Sequence, residues 1–180
     1  MFELARLQGT PESPIPLATR LGTPVRNSRS PSPSERARSI FSLLLRKHPQ
    51  WVLRKEPCGY YNCFGLVWAS RRTSIYEQDD LDRILLEDGY RGLEDPRRCR
   101  LGDLALYLDE AGGFLHVGVV AEIRQVVGGG VSRSGAPWIL SKWNDSTGEV
   151  LHHYNDVPFA LSYTVRFWTD REETSDERPR

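Results

Sequence analysis

The sequence has no run of 18 consecutive apolar residues, and it contains only three cysteines in 180 residues. The first absence argues against a membrane-spanning helix, which needs about 20 apolar residues. The odd number of cysteines argues against a secreted domain held together by disulfides. The first residues do not form a basic leader followed by an apolar stretch, as a secretory signal would. We therefore expect a soluble protein, cytoplasmic by default, with export by a specialised machine left open.

Charge of one sign is not in excess either, because 24 basic residues balance 24 acidic ones. No global field therefore attracts nucleic acid or an anionic membrane. The short basic clusters Arg71-Arg72 and Arg97-Arg98 are more typical of a solvated surface. We expect neither nucleic acid nor a membrane as a partner. A chain of 180 residues is long enough for one domain with its own core.

Composition divides the chain into one domain and two tails. Six prolines interrupt residues 1–33, and the serine, threonine and arginine residues between them bury little. This predicts a disordered tail over 1–33, either a plain linker or a docking segment for a protein partner. Residues 170–180 have mixed charge and no apolar side chain, so a second flexible tail is expected there. The folded domain is then residues 34–169.

The domain changes its hydrophobic period along its length. Three helices are predicted first: one capped by Ser34, one from Cys63 to about Arg71, and one at Gln78–Asp88. Five strands with alternating apolar residues follow, at 101–108, 114–123, 138–143, 150–154 and 161–168, and Gly128 to Gly130 form a loop. The prediction is an α+β fold with N-terminal helices packed on an antiparallel sheet of about five strands.

Cys63 is the first candidate for chemistry. It stands in the stretch Asn-Cys-Phe-Gly-Leu-Val, where it begins a buried helix. The free amides and the dipole at a helix start stabilise a thiolate and lower the pKa of a thiol. The alternative is that Cys63 is simply a small buried hydrophobe, as most free cysteines are.

His116 is the second candidate, 53 residues later at the head of a strand. Val117 and Val119 face one side of this strand while His116 and Gly118 face the other, and the glycine leaves room beside the imidazole. A lone histidine on a strand is usually structural. A thiol and an imidazole brought together, however, form an activated nucleophile.

Several blocks in this order resemble a known superfamily. The blocks are Asn62–Val67, Gly102–Tyr107 and His116–Val120, with Tyr61, Ser141-Lys142-Trp143, His152 and Asp156-Val157-Pro158. They resemble the landmarks of NlpC-like peptidases and CHAP amidases, and more narrowly a little-characterised bacterial group among them. The likeness covers about residues 57–160 and implies a papain-like domain. It also implies that Cys63 is the nucleophile and His116 the general base.

The chain departs from that group at three positions. Phe64 replaces a common histidine, Leu140 replaces an acidic residue, and Asn144 replaces a glycine. If the acidic residue orients the base in the group, Leu140 cannot do so here.

A third residue must accept a hydrogen bond from His116. The candidates are Ser141, then His152, then Asn144, because Lys142 has no acceptor. The oxyanion would be held by the Cys63 amide and a tyrosine hydroxyl. Candidates for oxyanion or substrate binding are Tyr60, Tyr61, Asn62, Lys142 and Trp143.

A zinc site built from Cys58, Cys63, Cys99 and His116 lacks the short paired spacing of structural zinc, so neither a metal nor another cofactor is expected. The favoured function is a cysteine peptidase or amidase that cleaves an amide bond, with cell-wall peptide as the family's commonest substrate. One alternative is a protein-modifying acyltransferase or deamidase, acting as a toxin or effector. The other is a binding module of the same fold whose site has decayed.

Overall fold

The computed structural model describes residues 14–29, 32–124, 135–158 and 162–172. The helices are α1 (Glu35–Lys47), α2 (Cys63–Trp68) and α3 (Gln78–Glu87), with a short 3-10 turn at Pro96–Arg98. The strands are β1 (Val52–Lys55), β2 (Arg91–Gly92), β3 (Leu104–Leu108), β4 (Phe114–Arg124), β5 (Ala136–Ser141), β6 (Glu149–His153) and β7 (Thr164–Thr169). The predicted loop at Gly128 to Gly130 lies outside the described residues.

The strands form one antiparallel sheet in the order β1-β6-β5-β4-β3-β7-β2. The predicted α+β class is therefore confirmed, whereas the predicted count of five strands is wrong. The two missed strands lie at the edges of the sheet. In β1 all four residues are exposed, and β2 is only two residues long. Neither strand has the alternation by which a half-buried strand is recognised.

The three predicted helices are present. Ser34 caps α1 by accepting a hydrogen bond from the amide of Ala37. The helix α2 ends at Trp68 rather than near Arg71, because Ser70 and Arg71 take positive φ angles of 49° and 64°. That left-handed conformation turns the chain away from the helix axis.

Glycine allows α2 to lie close to its neighbours. A Cβ at Gly65 would lie 1.8 Å from the carbonyl oxygen of Thr73, so no larger residue fits there. The side-chain oxygen of Asn62 caps the helix by accepting from the Gly65 amide at 2.9 Å. The side-chain nitrogen of Asn62 donates to the Ile75 carbonyl at 2.6 Å. The start of α2 is therefore fixed against residues 73–75.

The central sheet has a buried surface on both sides. Alternate side chains of β3 point to opposite faces of the sheet. Leu104 and Leu106 belong to the apolar cluster that contains α2 and α3. Ala105 and Tyr107 belong to a second cluster on the opposite face. A third cluster joins α1 to the sheet through Phe41 and Trp51.

Residues 14–29, which we call the N-terminal strap, contain a tight turn at which Ala18 and Pro24 form an antiparallel bridge. The prolines predicted a solvated tail here, but the strap instead packs on the domain. Val25 is buried in the cluster that contains α2 and α3. Arg26 donates to the buried carboxylate of Asp80 at 2.8 Å, and the backbones of Ser28 and Ser74 pair with each other. Composition predicted no order here because these partners lie more than 40 residues away.

The beginning of the predicted C-terminal tail is also bound to the domain. The Arg171 guanidinium donates two hydrogen bonds to the buried carboxylate of Asp103, and Asp170 accepts one from Arg20 at 2.6 Å. Residues 173–180 and 1–13 lie outside the described residues. None of the helices in the described parts of the chain is long and apolar enough to cross a bilayer.

Candidate functional site

Cys63 is the first residue of α2 and is 5% exposed. Burial raises the pKa of its thiol from 9.0 to about 12. The backbone amides of Val117, Phe64 and Cys63 itself act in the opposite direction, because they donate toward the sulfur. The lowered thiol pKa that the sequence predicted is therefore wrong, because burial outweighs the effect of the amides at the helix start. In this structure the resting group is a neutral thiol at pH 7.

His116 lies in β4 and is fully buried. Burial first, and then the neighbouring His152, lowers the pKa of its imidazole well below 6.5. Its ring packs against Trp143, with the ring centroids 4.6 Å apart, and against Tyr107, which faces it on β3 at 5.3 Å. At neutral pH the imidazole is therefore uncharged, the form that can accept a proton.

Cys63 and His116 lie at adjacent positions along β4 but on opposite faces of the strand. Cys63 and Val117 share one apolar cluster, and the Val117 amide donates toward the Cys63 sulfur. Val117 directly follows His116, and the two side chains point to opposite faces of the strand. The thiol therefore lies on the face of β4 opposite to the one that the imidazole uses, and the structure does not place the two side chains together.

Ser141 and His152 form a hydrogen-bonded pair between the neighbouring strands β5 and β6. The Ser141 hydroxyl and the His152 Nε2 are 2.8 Å apart, and the His152 Nδ1 is 2.8 Å from the His153 carbonyl. A carbonyl only accepts, so Nδ1 carries the proton and Nε2 accepts from Ser141. Burial lowers the pKa of His152 to about 4, which keeps this ring neutral.

Gly118 shows how close Ser141 comes to the face of β4 that His116 uses. A Cβ at Gly118 would lie 2.6 Å from the Ser141 hydroxyl and 2.3 Å from Ile139. Gly118 is two residues from His116 and therefore shares its face. The predicted room beside the imidazole is thus used by the neighbouring strand β5.

Asn144, the third candidate for orienting the base, bonds within its own turn. Its side-chain oxygen accepts from the Ser146 amide at 2.7 Å, and its backbone amide donates to Thr147 at 3.3 Å. These contacts shape the β5–β6 connection.

The two tyrosines differ in exposure. Tyr60 is 51% exposed, whereas Tyr61 is buried and its hydroxyl donates to Glu149 at 2.6 Å. Arg71 donates to the same carboxylate at 2.7 Å. The Tyr61 hydroxyl is therefore engaged in a buried ion-pair network, which leaves Tyr60 as the tyrosine that solvent reaches.

Lys142 is also fully buried. Its ammonium donates to the carbonyls of Cys58 and Thr147, and it lies 4.9 Å from the centre of the Tyr61 ring. Burial lowers the pKa of Lys142 to about 8. Through these contacts Lys142 joins the β5–β6 connection to the loop that precedes α2.

Sequence reasoning missed one arrangement, an imidazole–carboxylate pair. The Nδ1 of His48 is 2.7 Å from Asp156, and the imidazole stacks on Trp51 with ring centroids 4.1 Å apart. The Trp51 indole donates to the Asp156 carbonyl at 3.1 Å. Residues 108 positions apart meet here, and no local pattern marks them. The pair connects the end of α1 to the turn after β6.

Among the residues that the structure describes, no group of three or more histidine, cysteine, aspartate or glutamate side chains is arranged to hold a metal ion. The three cysteines are all free thiols, and Cys99 lies in the apolar cluster with Tyr107.

Comparison of the chain with models of protein families, with curated proteins and with solved structures found no match.

Proposed function

We propose that the protein is a cysteine hydrolase of papain-like fold that cleaves an amide bond, with Cys63 as nucleophile and His116 as general base. The observation that carries this proposal is the setting of the Cys63 sulfur. It lies at the start of α2, where three backbone amides point toward it, and one of them belongs to the residue after His116. Amides in this position stabilise negative charge on sulfur or on a bound oxyanion.

The proposed reaction requires a rearrangement at β4 that brings the thiol and the imidazole together, because the thiol lies beside Val117, whose side chain points away from the face of His116. The neutral imidazole of His116 accepts the thiol proton while the sulfur forms a bond to the substrate carbonyl carbon. The Cys63 amide donates to the oxyanion. Collapse of this intermediate breaks the carbon–nitrogen bond, and His116 returns the proton to the leaving amine. Water, deprotonated by His116, then releases the acid from the thioester and restores the thiol.

Ser141 is the proposed third member of the site. Its hydroxyl proton is directed to His152, so the lone pairs of its oxygen remain able to accept a hydrogen bond. Its oxygen also lies against the face of β4 that His116 uses. In this arrangement the neutral pair of Ser141 and His152 replaces the acidic residue that Leu140 cannot supply.

A second candidate function is a binding module of the same fold that has lost catalysis. The observation that favours it is the burial of Cys63, which raises the pKa of the thiol to about 12, opposite to the change that activates a nucleophile. Phe64 and Leu140, which differ from the residues of the group resembled, agree with this alternative.

The test is turnover of peptide amides, including cell-wall peptides, by the wild-type protein and two variants. Cys63→Ala removes the proposed nucleophile, and Cys99→Ala removes a buried thiol from another cluster as a matched control. We expect turnover to be lost only in Cys63→Ala and an acyl-enzyme to be trapped on Cys63 at acidic pH. Turnover that survives in Cys63→Ala refutes the assignment.

The same experiment separates hydrolysis from acyl transfer. In ¹⁸O-labelled water a hydrolase places the heavy oxygen in the new carboxyl group. A transferase instead forms a new amide with an added amine. Absence of any turnover, together with equally slow alkylation of Cys63 and Cys99 across pH, would favour the binding module.

A further inference from the structure

Cys58 is the thiol that lies nearest to solvent. It belongs to the loop between β1 and α2 and is half-buried, whereas Cys63 and Cys99 are buried. Oxidants attack accessible thiols in preference to enclosed ones. Cys58 is therefore the first of the three thiols that an oxidant in solution meets.

The ammonium of Lys142 is held against the same residue. Its nitrogen donates to the Cys58 carbonyl at 2.9 Å and also to the Thr147 carbonyl, so it contacts a part of the chain 84 residues away. The Lys142 side chain is fully buried. The nitrogen is therefore enclosed beside the loop that carries the accessible thiol.

The Cys58 sulfur also acts on that nitrogen. Burial lowers the pKa of Lys142 to about 8, and a thiolate at Cys58 is the strongest of the negative charges that oppose this change. The attraction between charges falls with distance, which places the sulfur among the closest acidic groups to the nitrogen.

The side chain of Tyr61 borders both groups. Its ring centre lies 4.9 Å from the Lys142 nitrogen. Burial first, then Glu149 and the Cys58 thiol, raise the pKa of the Tyr61 hydroxyl. Sulfur, nitrogen and hydroxyl therefore form one cluster.

This cluster supplies the two halves of a cross-link. With a pKa of about 8, roughly a tenth of Lys142 is the neutral amine at pH 7, and a neutral amine carries the lone pair of a nucleophile. A thiol becomes an electrophile when it is oxidised to a sulfenic acid, which condenses with a neighbouring thiol or nitrogen. Because the Lys142 nitrogen contacts the backbone of Cys58, the sulfur of the same residue lies within reach of its side-chain rotations.

We propose that Cys58 and Lys142 form a redox-controlled cross-link, in which a hydroperoxide oxidises the thiol and the amine then bonds to the sulfur as a sulfenamide. In the first step the sulfur attacks one peroxide oxygen, the O–O bond breaks, and the other oxygen leaves as water or an alcohol. In the second step the Lys142 nitrogen attacks the sulfur of the sulfenic acid, the S–O bond breaks, and the hydroxyl leaves as water with a proton from the amine. Two electrons pass from the protein to the peroxide. The new bond ties the loop before α2 to the β5–β6 connection.

The experiment treats the full chain with hydrogen peroxide and reads it by mass spectrometry, before and after digestion with trypsin. We expect the intact mass to fall by two hydrogen atoms. The peptide of Cys58 should be joined to the peptide of Lys142, and trypsin should no longer cleave after Lys142, because it requires a free lysine side chain. Dithiothreitol should restore the original mass, since its thiolate attacks the sulfur of the cross-link and releases the amine.

The sequence offers close controls. It contains only two other lysines, and one of them, Lys55, has its nitrogen at a similar distance of 5.2 Å from the same Tyr61 ring. Cys58→Ser and Lys142→Met should abolish the cross-link, whereas Lys55→Met should leave it at the wild-type level. Cys58→Ser changes a half-buried residue, so it keeps the result readable if Lys142→Met does not fold.

Four outcomes overturn the inference. They are an unchanged mass, oxygen added to Cys58 with cleavage after Lys142 intact, a cross-link to Lys55, and a disulfide between Cys58 and Cys63. The disulfide loses the same two hydrogen atoms but leaves the Lys142 peptide free. None of these outcomes bears on the proposed hydrolase: the cross-link should form to the wild-type level in Cys63→Ala, whereas turnover by that variant decides the nucleophile.

Discussion

Replacement of Gly65 by alanine tests how closely α2 is fitted against its neighbours. The added Cβ would lie 1.8 Å from the carbonyl oxygen and 2.9 Å from the carbonyl carbon of Thr73. Both atoms belong to the backbone, so no side-chain rotation relieves the overlap. Alanine raises helix propensity over glycine by about 1 kcal/mol, whereas forced overpacking costs about 3 kcal/mol when the backbone must move. The net loss of unfolding free energy should be about 2 kcal/mol.

Urea and thermal unfolding measure this loss. For a chain of this size, about 2 kcal/mol corresponds to a fall in Tm of about 4–8 °C. The matched control is Gly92→Ala, whose Cβ would meet nothing closer than Trp168 at 3.9 Å and should change the free energy of unfolding by less than about 0.5 kcal/mol. If Gly65→Ala proves as stable as Gly92→Ala, the close contact between α2 and residues 73–75 is not present in solution.

Three further measurements address buried charge. Between pH 6.5 and about 4, His152 is protonated in the unfolded chain but stays neutral in the folded protein. The free energy of unfolding should therefore decrease by up to about 3 kcal/mol as the pH is lowered through this range. A free energy of unfolding that does not change with pH in urea titrations contradicts this. Glu149→Gln should lower the free energy of unfolding by about 1–3 kcal/mol, because it weakens buried charge-assisted hydrogen bonds. The control Glu122→Gln, whose carboxylate is partly exposed, should lower it by less than about 1 kcal/mol. Equal losses in the two variants would contradict the burial of Glu149. At pH 9, Cys63 should hold about tenfold less thiolate than Cys99, because their thiol pKa values are about 12 and 11; alkylation that is faster at Cys63 contradicts the enclosure.

The elements that could be predicted from the sequence are those whose signals are local. Ser34 marks the start of α1, and the acidic first turn marks α3, so both helices begin where the sequence predicts. The edge strands β1 and β2 were missed because exposed or very short strands lack alternation. The strap was missed because its order depends on distant partners such as Asp80.

In the candidate site, too, the features that depend on nearby residues could be predicted, and those that depend on distant residues could not. The places of Cys63 at a helix start and His116 on a strand follow from nearby residues, and both were predicted. The hydrogen bond between Ser141 and His152 could not be predicted, because it depends on the register between β5 and β6. The approach of His48 to Asp156 depends on how α1 folds back over the sheet.

The state of the thiol shows why a helix start alone does not make a nucleophile. Amides and the dipole at a helix terminus stabilise a charge by about 0.3–1 kcal/mol, and by up to about 2 kcal/mol in partly buried positions. Burial raises the pKa of Cys63 from 9.0 to about 12, which corresponds to about 4 kcal/mol against the thiolate, even with those amides in place. Chemistry at Cys63 therefore requires hydration of the cluster as well as a base.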